Sequence, residues 1–270
     1  MLHLRFHLPT LLIGALLTAS SSFAQSGPAK AYAAGSLTGA LTEMIATSGL
    51  PADSVAKPVF GPAGALRQRL ESGEQADLYL SANMDHPRKL VEDGRASVVI
   101  PFARNRLCVI SKKGLGMTQA NMLDLILAPS TRVATSTPIV DPGGDYTWAA
   151  FDRAEALRPG AKAILDAKAI RVIGSNLMTP LPGKSLAASV FLADKADVLI
   201  YYCSGAADAL REAPDLVSMT LPADLDVPVA YGMALLTSNP TAQQLALFVL
   251  SEKGQAVLSH YGLIPIAQIP

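Results

Sequence analysis

Short apolar runs and helix-like amphipathic stretches follow one another along the first hundred residues of this chain. Residues 31–34 are an apolar run, and residues 37–47 carry apolar side chains at the spacing of a helix with one buried face. The same order returns as predicted strands at 58–60 and 77–81 and predicted helices at 63–72 and 87–93. This βαβαβ order predicts a parallel sheet with helices on its faces, and a ligand site beyond the carboxyl ends of its strands.

The rest of the chain repeats this pattern. We predict strands at 107–110, 132–134, 171–173, 198–202 and 227–236, and helices at 148–157, 161–167, 186–193, 240–250 and 253–260. Two sheets are favoured over one. No long polar linker separates the segments, so each domain can be built from stretches that are not adjacent in the sequence.

Composition limits the class of protein. With 270 residues and 50% hydrophobic content, the chain can bury one large core or two small ones. Lys plus Arg and Asp plus Glu both count 22, so the formal net charge is zero. The chain therefore carries no net charge that would attract nucleic acid or anionic lipid. A charged ligand has to be bound by local groups.

The first 24 residues have the pattern of a secretory signal peptide. Positive charge around Arg5 precedes the apolar run 8–17, and small residues lead to a predicted cleavage after Ala24. The apolar run is shorter than the roughly 20 residues that a membrane-spanning helix needs. We therefore expect the mature protein to be exported to the periplasm.

The cysteines and histidines offer little chemistry. Cys108 and Cys203 both lie in apolar contexts, so we expect two buried, reduced thiols, with a disulfide between them as the alternative. The four histidines are scattered, and no Cys or His spacing indicates a metal site. We expect no metal ion and no cofactor.

Small residues stand at four points where a predicted strand passes into a predicted helix. At the first, Gly35 lets a ligand approach, Ser36 offers a hydroxyl, and the first helical amides have no intrahelical partner. The others are FGPAGAL around 61–64, DPGGDYTW around 141–148 and LPGKSL around 182–185. Together they predict an anion site lined by backbone amides. The alternative at the first junction is that Ser36 only caps its own helix.

The first two of these junctions lie within a series of five longer segments: AYAAGSLTGAL, FGPAGALRQRLESGEQADLYLSA, NRLCVISKKG, DVLIYYCSGA and YGLIPI. In this order the segments resemble the periplasmic molybdate-binding proteins of ABC importers, a group of type II solute-binding proteins. The resemblance implies an α/β fold with two lobes, each a mixed, mostly parallel sheet flanked by helices, joined by two crossing strands. The implied lobes are residues 25–106 plus 227–270 and residues 107–226. They are expected to close over a tetrahedral oxyanion, molybdate or tungstate, for delivery to a membrane permease.

The resemblance also implies ligand-binding residues. Ser36 matches a serine ligand in one lobe, and Tyr201 matches a tyrosine ligand in the other. Gly143 falls where the family supplies a backbone amide, and Gly183 falls near a second such position.

One junction departs from the family pattern. Ala63 stands where the family commonly has a second serine, so Ala63 and Gly64 offer only backbone amides there. Since a hydrogen bond to a charged group is worth about 1.5–3 kcal/mol, the missing hydroxyl is expected to weaken binding or to change the preferred oxyanion. Lys184 has no family counterpart and offers compensating charge, unless it is a solvated lysine at a helix start.

Three other functions are weighed against molybdate binding: a ferric-ion carrier, another small-anion binder of the same fold, and an enzyme. The adjacent Tyr201 and Tyr202 suggest a ferric-ion carrier, because paired tyrosinates bind Fe³⁺. Neighbouring side chains of a strand point to opposite faces, which favours one tyrosine in the core. For an enzyme, no nucleophile, base or acid pair stands out. We expect a monomeric binding protein without catalytic activity.

Overall fold

The computed structural model describes residues 27–174 and 178–266, so the predicted signal peptide at 1–24 lies outside the described residues. The strands are β1 Ala31–Ala34, β2 Val59–Gly61, β3 Leu78–Ser81, β4 Val98–Asn105, β5 Leu107–Lys112, β6 Val133–Ser136, β7 Ile170–Ile173, β8 Val198–Tyr202, β9 Leu216–Thr220, β10 Val229–Leu235 and β11 Ile264–Pro265. The helices are α1 Thr38–Thr47, α2 Ala63–Glu71, α3 Asp85–Glu92, α4 Met122–Leu127, α5 Pro142–Leu157, α6 Ala161–Lys168, α7 Leu186–Leu192, α8 Ala206–Glu212, α9 Pro240–Leu250 and α10 Glu252–His260. Within these two ranges, no helix is long and apolar enough to cross a membrane.

Six strands form a mixed sheet in the order β11-β4-β10-β3-β1-β2. β1 runs parallel to β2 and β3, and β10 runs antiparallel to β3 and β4. α2 packs against β1, and α3 and α9 pack against β3. Because β1 and β3 are buried along their whole length, their sequences are apolar without the alternation of a half-exposed strand.

Five strands form a second mixed sheet in the order β7-β6-β8-β5-β9. β6 runs parallel to β7 and β8, and β5 runs antiparallel to β8 and β9. β6 leads into α5, and β8 leads through the 3₁₀ turn Cys203–Gly205 into α8. Since β6 and β8 are parallel neighbours, these two strand-to-helix junctions meet at the same edge of the sheet.

The chain crosses between the two sheets twice. It leaves the first sheet at Asn105 and enters the second at Leu107, and it returns between Thr220 and Val229. The protein is therefore a two-lobed α/β protein, which confirms the predicted fold class. We call the residues around the six-stranded sheet the first lobe and those around the five-stranded sheet the second lobe. The lobe boundaries given above stay a prediction.

Some elements escaped the sequence pattern. The elements that it missed are β4, β9, β11, α4 and α8, and α5 begins at Pro142 instead of at residue 148. Proline and glycine are poor helix formers inside a helix. Pro142, Gly143 and Gly144 therefore hide the first turn of α5 from the sequence pattern. Here Pro142 fits the first turn, and a Cβ at Gly144 would overlap the backbone of Pro138. Close packing against the backbone of Pro138, rather than helix propensity, explains why a glycine stands in this first turn.

The prediction of two reduced cysteines is wrong, because Cys108 and Cys203 form a disulfide. Cys108 lies on β5, and Cys203 directly follows β8. These strands are antiparallel neighbours in which Cys108 pairs with Tyr201, so the two cysteine Cα atoms are 4.9 Å apart although 95 residues separate them. The apolar contexts fit a thiol and a disulfide equally well, and only the strand order brings the pair together.

Candidate functional site

A cleft of about 600 Å³ lies between the lobes. Its lining includes Gly35, Ser36 and Ala63 from the first lobe and Asp141, Lys184 and Tyr201 from the second. The cleft is at the ends of β1, β6 and β8, where the chain passes from strand to helix. A molecule held there contacts both lobes.

Ser36 lies in the 3₁₀ turn Gly35–Leu37 between β1 and α1. The N-cap position of α1 is Leu37, and neither the turn nor the helix has a side-chain cap. The Ser36 hydroxyl therefore does not cap its own helix, which was the alternative considered from the sequence. Instead its Oγ lies 3.0 Å from the hydroxyl oxygen of Tyr231 on β10.

A chain of hydrogen bonds orients the Ser36 hydroxyl. The Asn105 side-chain carbonyl accepts the Arg106 N–H, which fixes the amide orientation and leaves Asn105 Nδ2 to donate to the Tyr231 hydroxyl at 3.1 Å. Tyr231 is buried, and burial raises its pKa, so it keeps its proton. The Tyr231 and Ser36 hydroxyls bond each other, and when Tyr231 is the donor the Ser36 proton is directed to another acceptor.

Ala63 and Gly64 begin α2 after Pro62, which provides no side-chain cap. Ala63 is buried and lines the cleft. Gly64 instead meets the second lobe, since a Cβ on it would overlap the Ile139 carbonyl oxygen. Next to it, the Ala65 N–H donates to the Val140 carbonyl at 3.1 Å. The other lobe thus caps α2, and the small size of Gly64 allows the lobes to touch.

The start of α5 differs from the prediction for Gly143. Asp141 is the N-cap residue, and its carboxylate accepts the Gly143 N–H at 2.8 Å. Asp141 also lines the cleft, whereas Gly143 is buried. Burial raises the pKa of Asp141 to about 6, although the bonds from Gly143 and Ser136 oppose that rise. Sequence reasoning missed Asp141, although Asp followed by Pro is a typical helix start.

Tyr201 and Tyr202, neighbours on β8, both line the cleft. Burial raises the pKa of Tyr201 to about 12, so its phenol stays protonated. Tyr202 is only 4% exposed, and among the described residues its hydroxyl has no hydrogen-bond partner. An unpaired buried hydroxyl costs free energy that a ligand oxygen would recover. The expectation that one tyrosine lies in the core is confirmed for Tyr202, although core packing alone does not account for its unpaired hydroxyl.

The remaining predicted position, Gly183, lies in an exposed turn before α7 with a positive φ of 69°. Lys184 rather than Gly183 lines the cleft. Ser185 is the N-cap of α7 and also donates to the Glu212 carboxylate at 2.8 Å. This junction thus offers a cation to the cleft. In the part of the chain that the structure describes, no group of three or more His, Cys, Asp or Glu side chains could hold a metal ion.

Comparison with known proteins identifies the class. The family described as bacterial extracellular solute-binding protein matches residues 29–264, and the chain belongs to that family. One relative is the uncharacterised protein PM1146 of Pasteurella multocida, which is 36% identical over 208 residues, or 76% of this chain and 86% of the relative.

Solved structures of two anion-binding proteins share the fold. The sulfate-binding protein SubI of Mycobacterium tuberculosis superposes with a TM-score of 0.72 at 17% identity, covering 89% of this chain and 88% of SubI. The periplasmic molybdate-binding protein of Azotobacter vinelandii superposes with a TM-score of 0.68 at 18% identity, covering 89% of this chain and all of that one. At these identities the likeness shows the fold alone.

Proposed function

We propose that this protein captures a small tetrahedral oxyanion, molybdate or its mimic tungstate, between its lobes. The observation that carries the proposal is the set of hydroxyl donors from both lobes that line one cleft. Ser36 offers a hydroxyl that is held by Tyr231, Tyr201 keeps its proton, and Tyr202 has a buried hydroxyl without a partner among the described residues. A fully ionised oxyanion has only acceptor oxygens and therefore matches such donors.

Electrostatics support an anion. α1 begins beside the cleft without a side-chain cap, so the positive end of its dipole lies there, whereas at the start of α2 the Val140 carbonyl of the other lobe accepts the Ala65 N–H. Lys184 adds a cation to the lining. Molybdate is favoured over sulfate by the sequence resemblance, while the absence of a hydroxyl at Ala63 is the feature of the cleft that opposes it.

The proposed physiological role is capture in the periplasm, after removal of the predicted signal peptide, and delivery to the permease of an ABC importer. The protein acts as a monomer and performs no bond chemistry. The two chain crossings between the lobes act as the hinge, and the ligand stabilises the closed arrangement because it contacts both lobes.

A thermal-shift screen of the mature protein tests the proposal. The screen contains molybdate, tungstate, sulfate, phosphate and ferric citrate. A ligand at 100 times its dissociation constant adds about 2.7 kcal/mol of stability, so molybdate and tungstate are expected to raise the melting temperature most. Stabilisation by ferric citrate alone would contradict an oxyanion site and support the iron carrier.

Tyr202→Phe is expected to affect the free and the liganded protein in opposite directions. Removing an unpaired buried hydroxyl leaves the stability of the free protein unchanged or slightly higher. Molybdate affinity is expected to fall roughly tenfold, the lower end of the 1.5–3 kcal/mol range for a bond to a charged group. Calorimetry and thermal melting measure both effects. Tyr32→Phe, in the same fold but outside the cleft, is the control, and unchanged affinity in Tyr202→Phe would remove Tyr202 from the site.

Gly64→Ala is expected to hinder closure without unfolding either lobe. Alanine suits a helix, but its Cβ would overlap the Ile139 carbonyl of the other lobe. A closure cost of about 1–2 kcal/mol, within the range for overpacking, corresponds to roughly 5- to 30-fold weaker molybdate binding. Small-angle scattering should show a less compact liganded state. Gly114→Ala is the control, because Gly114 lies outside the cleft and a Cβ there would meet nothing within 4 Å.

A further inference from the structure

Asp141 places a negative charge in the cleft. Its carboxylate holds the Gly143 N–H at 2.8 Å, so the amide that the family resemblance assigns to the ligand is already occupied by an anionic side chain. The same side chain lines the cleft. A fully ionised oxyanion that enters the cleft thus shares it with a partly buried carboxylate.

Two negative charges in one partly desolvated site favour the state in which one of them carries a proton. Ser36, Tyr201 and Tyr202 are neutral donors, and the charge of Lys184 in the lining is offset by a second carboxylate there, Asp208. A protonated Asp141 still accepts the Gly143 N–H with one oxygen, and its other oxygen becomes a donor. Protonation therefore removes the repulsion without removing the helix cap.

We propose that the cleft binds a fully ionised oxyanion together with one proton, taken from solvent onto the Asp141 carboxylate, and that Asp141 thereby sets which oxyanions it prefers. This inference rests on the proposed function. An oxyanion that brings its own proton, such as hydrogen phosphate, needs no such uptake, because its hydroxyl donates to the ionised Asp141.

The charged groups around Asp141 are consistent with this coupling. Burial raises the pKa of Asp141, and the charge of Asp145 on the same helix raises it further. The resulting pKa of Asp141 is about 6. Tyr201 and Tyr202 on β8 stay neutral because burial raises their pKa values. From β6, the neutral Ser136 hydroxyl bonds the carboxylate. Lys184 and Asp208 line the same cleft with opposite charges.

Titration calorimetry at pH 6 and pH 8, in two buffers with different ionisation enthalpies, tests the proposal with molybdate and sulfate. If only the protonated Asp141 binds, affinity falls up to about 50-fold from pH 6 to pH 8, because the protonated fraction falls from about one half to about one hundredth. About one proton should be taken up per anion at pH 8. Hydrogen phosphate should lose less affinity than sulfate over this range.

Asp141→Asn keeps an oxygen that accepts the Gly143 N–H but carries no charge. Its oxyanion affinity is expected to be independent of pH, without proton uptake. Asp152→Asn, which removes an exposed carboxylate of α5 outside the cleft that pairs with Lys162, should keep the pH dependence of the natural chain.

Three results separate the outcomes. Oxyanion binding by the natural chain with equal affinity at both pH values and no proton uptake overturns the inference and leaves the proposed function intact. Unchanged pH dependence in Asp141→Asn also overturns it. No binding of any oxyanion at either pH overturns the proposed function and this inference with it.

Discussion

Replacing Cys108 and Cys203 together by alanine is expected to lower the free energy of unfolding by about 2–5 kcal/mol. The disulfide joins β5 to the turn after β8 and closes a loop across 95 residues. Without it the unfolded chain gains conformational freedom, so the folded state loses relative stability. Urea unfolding of the natural chain and the double variant measures the difference, and the effect should concentrate in the second lobe.

The natural chain under reducing conditions is the matched control for the cysteine pair. Reduction should reproduce most of the loss seen in the double variant and should leave the double variant itself unchanged. Linked Cys108 and Cys203 peptides are expected in digests of the unreduced protein. Two free thiols in that digest, or equal stability of the two proteins, would contradict the disulfide and its contribution.

Ser36→Ala is expected to weaken molybdate binding by about 10- to 150-fold, which corresponds to the roughly 1.5–3 kcal/mol of one hydrogen bond to a charged group. In the free protein the Ser36 hydroxyl caps no helix and bonds the buried Tyr231 hydroxyl. Tyr201→Phe removes a donor from the opposite lobe, and we expect a loss of similar size. Calorimetry at a single pH measures both.

Thr42→Ala is the control for the serine variant, because Thr42 is an exposed hydroxyl on α1 that bonds only the Thr38 carbonyl among its described contacts. An iron carrier would behave differently. Ser36→Ala would then be nearly silent, and Tyr201→Phe would abolish the visible colour of a tyrosinate bound to iron. Unchanged molybdate affinity in both cleft variants would remove the proposed site while leaving the two-lobed fold intact.

Local pattern predicted the helices of the first lobe closely. The amphipathic stretches at 37–47 and 63–72 correspond to α1 Thr38–Thr47 and α2 Ala63–Glu71. β4 was missed although it is the longest strand, because Pro101 in its middle argues against a strand. Pro101 is accommodated at an irregular step of the pairing with β10, where the register shifts between Tyr231 and Gly232.

The sequence predicted only some of the residues that form the candidate site. Ser36 and Tyr201 were found through short motifs, and both line the cleft. Asn105 and Tyr231 were missed, because 195 residues separate Tyr231 from Ser36 and no motif marks either residue. Gly64 was interpreted as a ligand amide, whereas the structure places it against the backbone of the other lobe.

The sequence by itself determined the class of fold and the chain's formal net charge of zero, because hydrophobic periodicity reports which face of each segment is buried and formal charge is a sum over residues. Tertiary structure alone decided which distant groups meet. The Cys108–Cys203 disulfide follows from the pairing of β5 with β8, and the Asn105–Tyr231–Ser36 chain follows from the pairing of β4 with β10. The Asp141 carboxylate in the cleft depends on how α5 begins beside β8. Because strand order and helix packing are set by contacts across the whole chain, a local sequence pattern does not predict them.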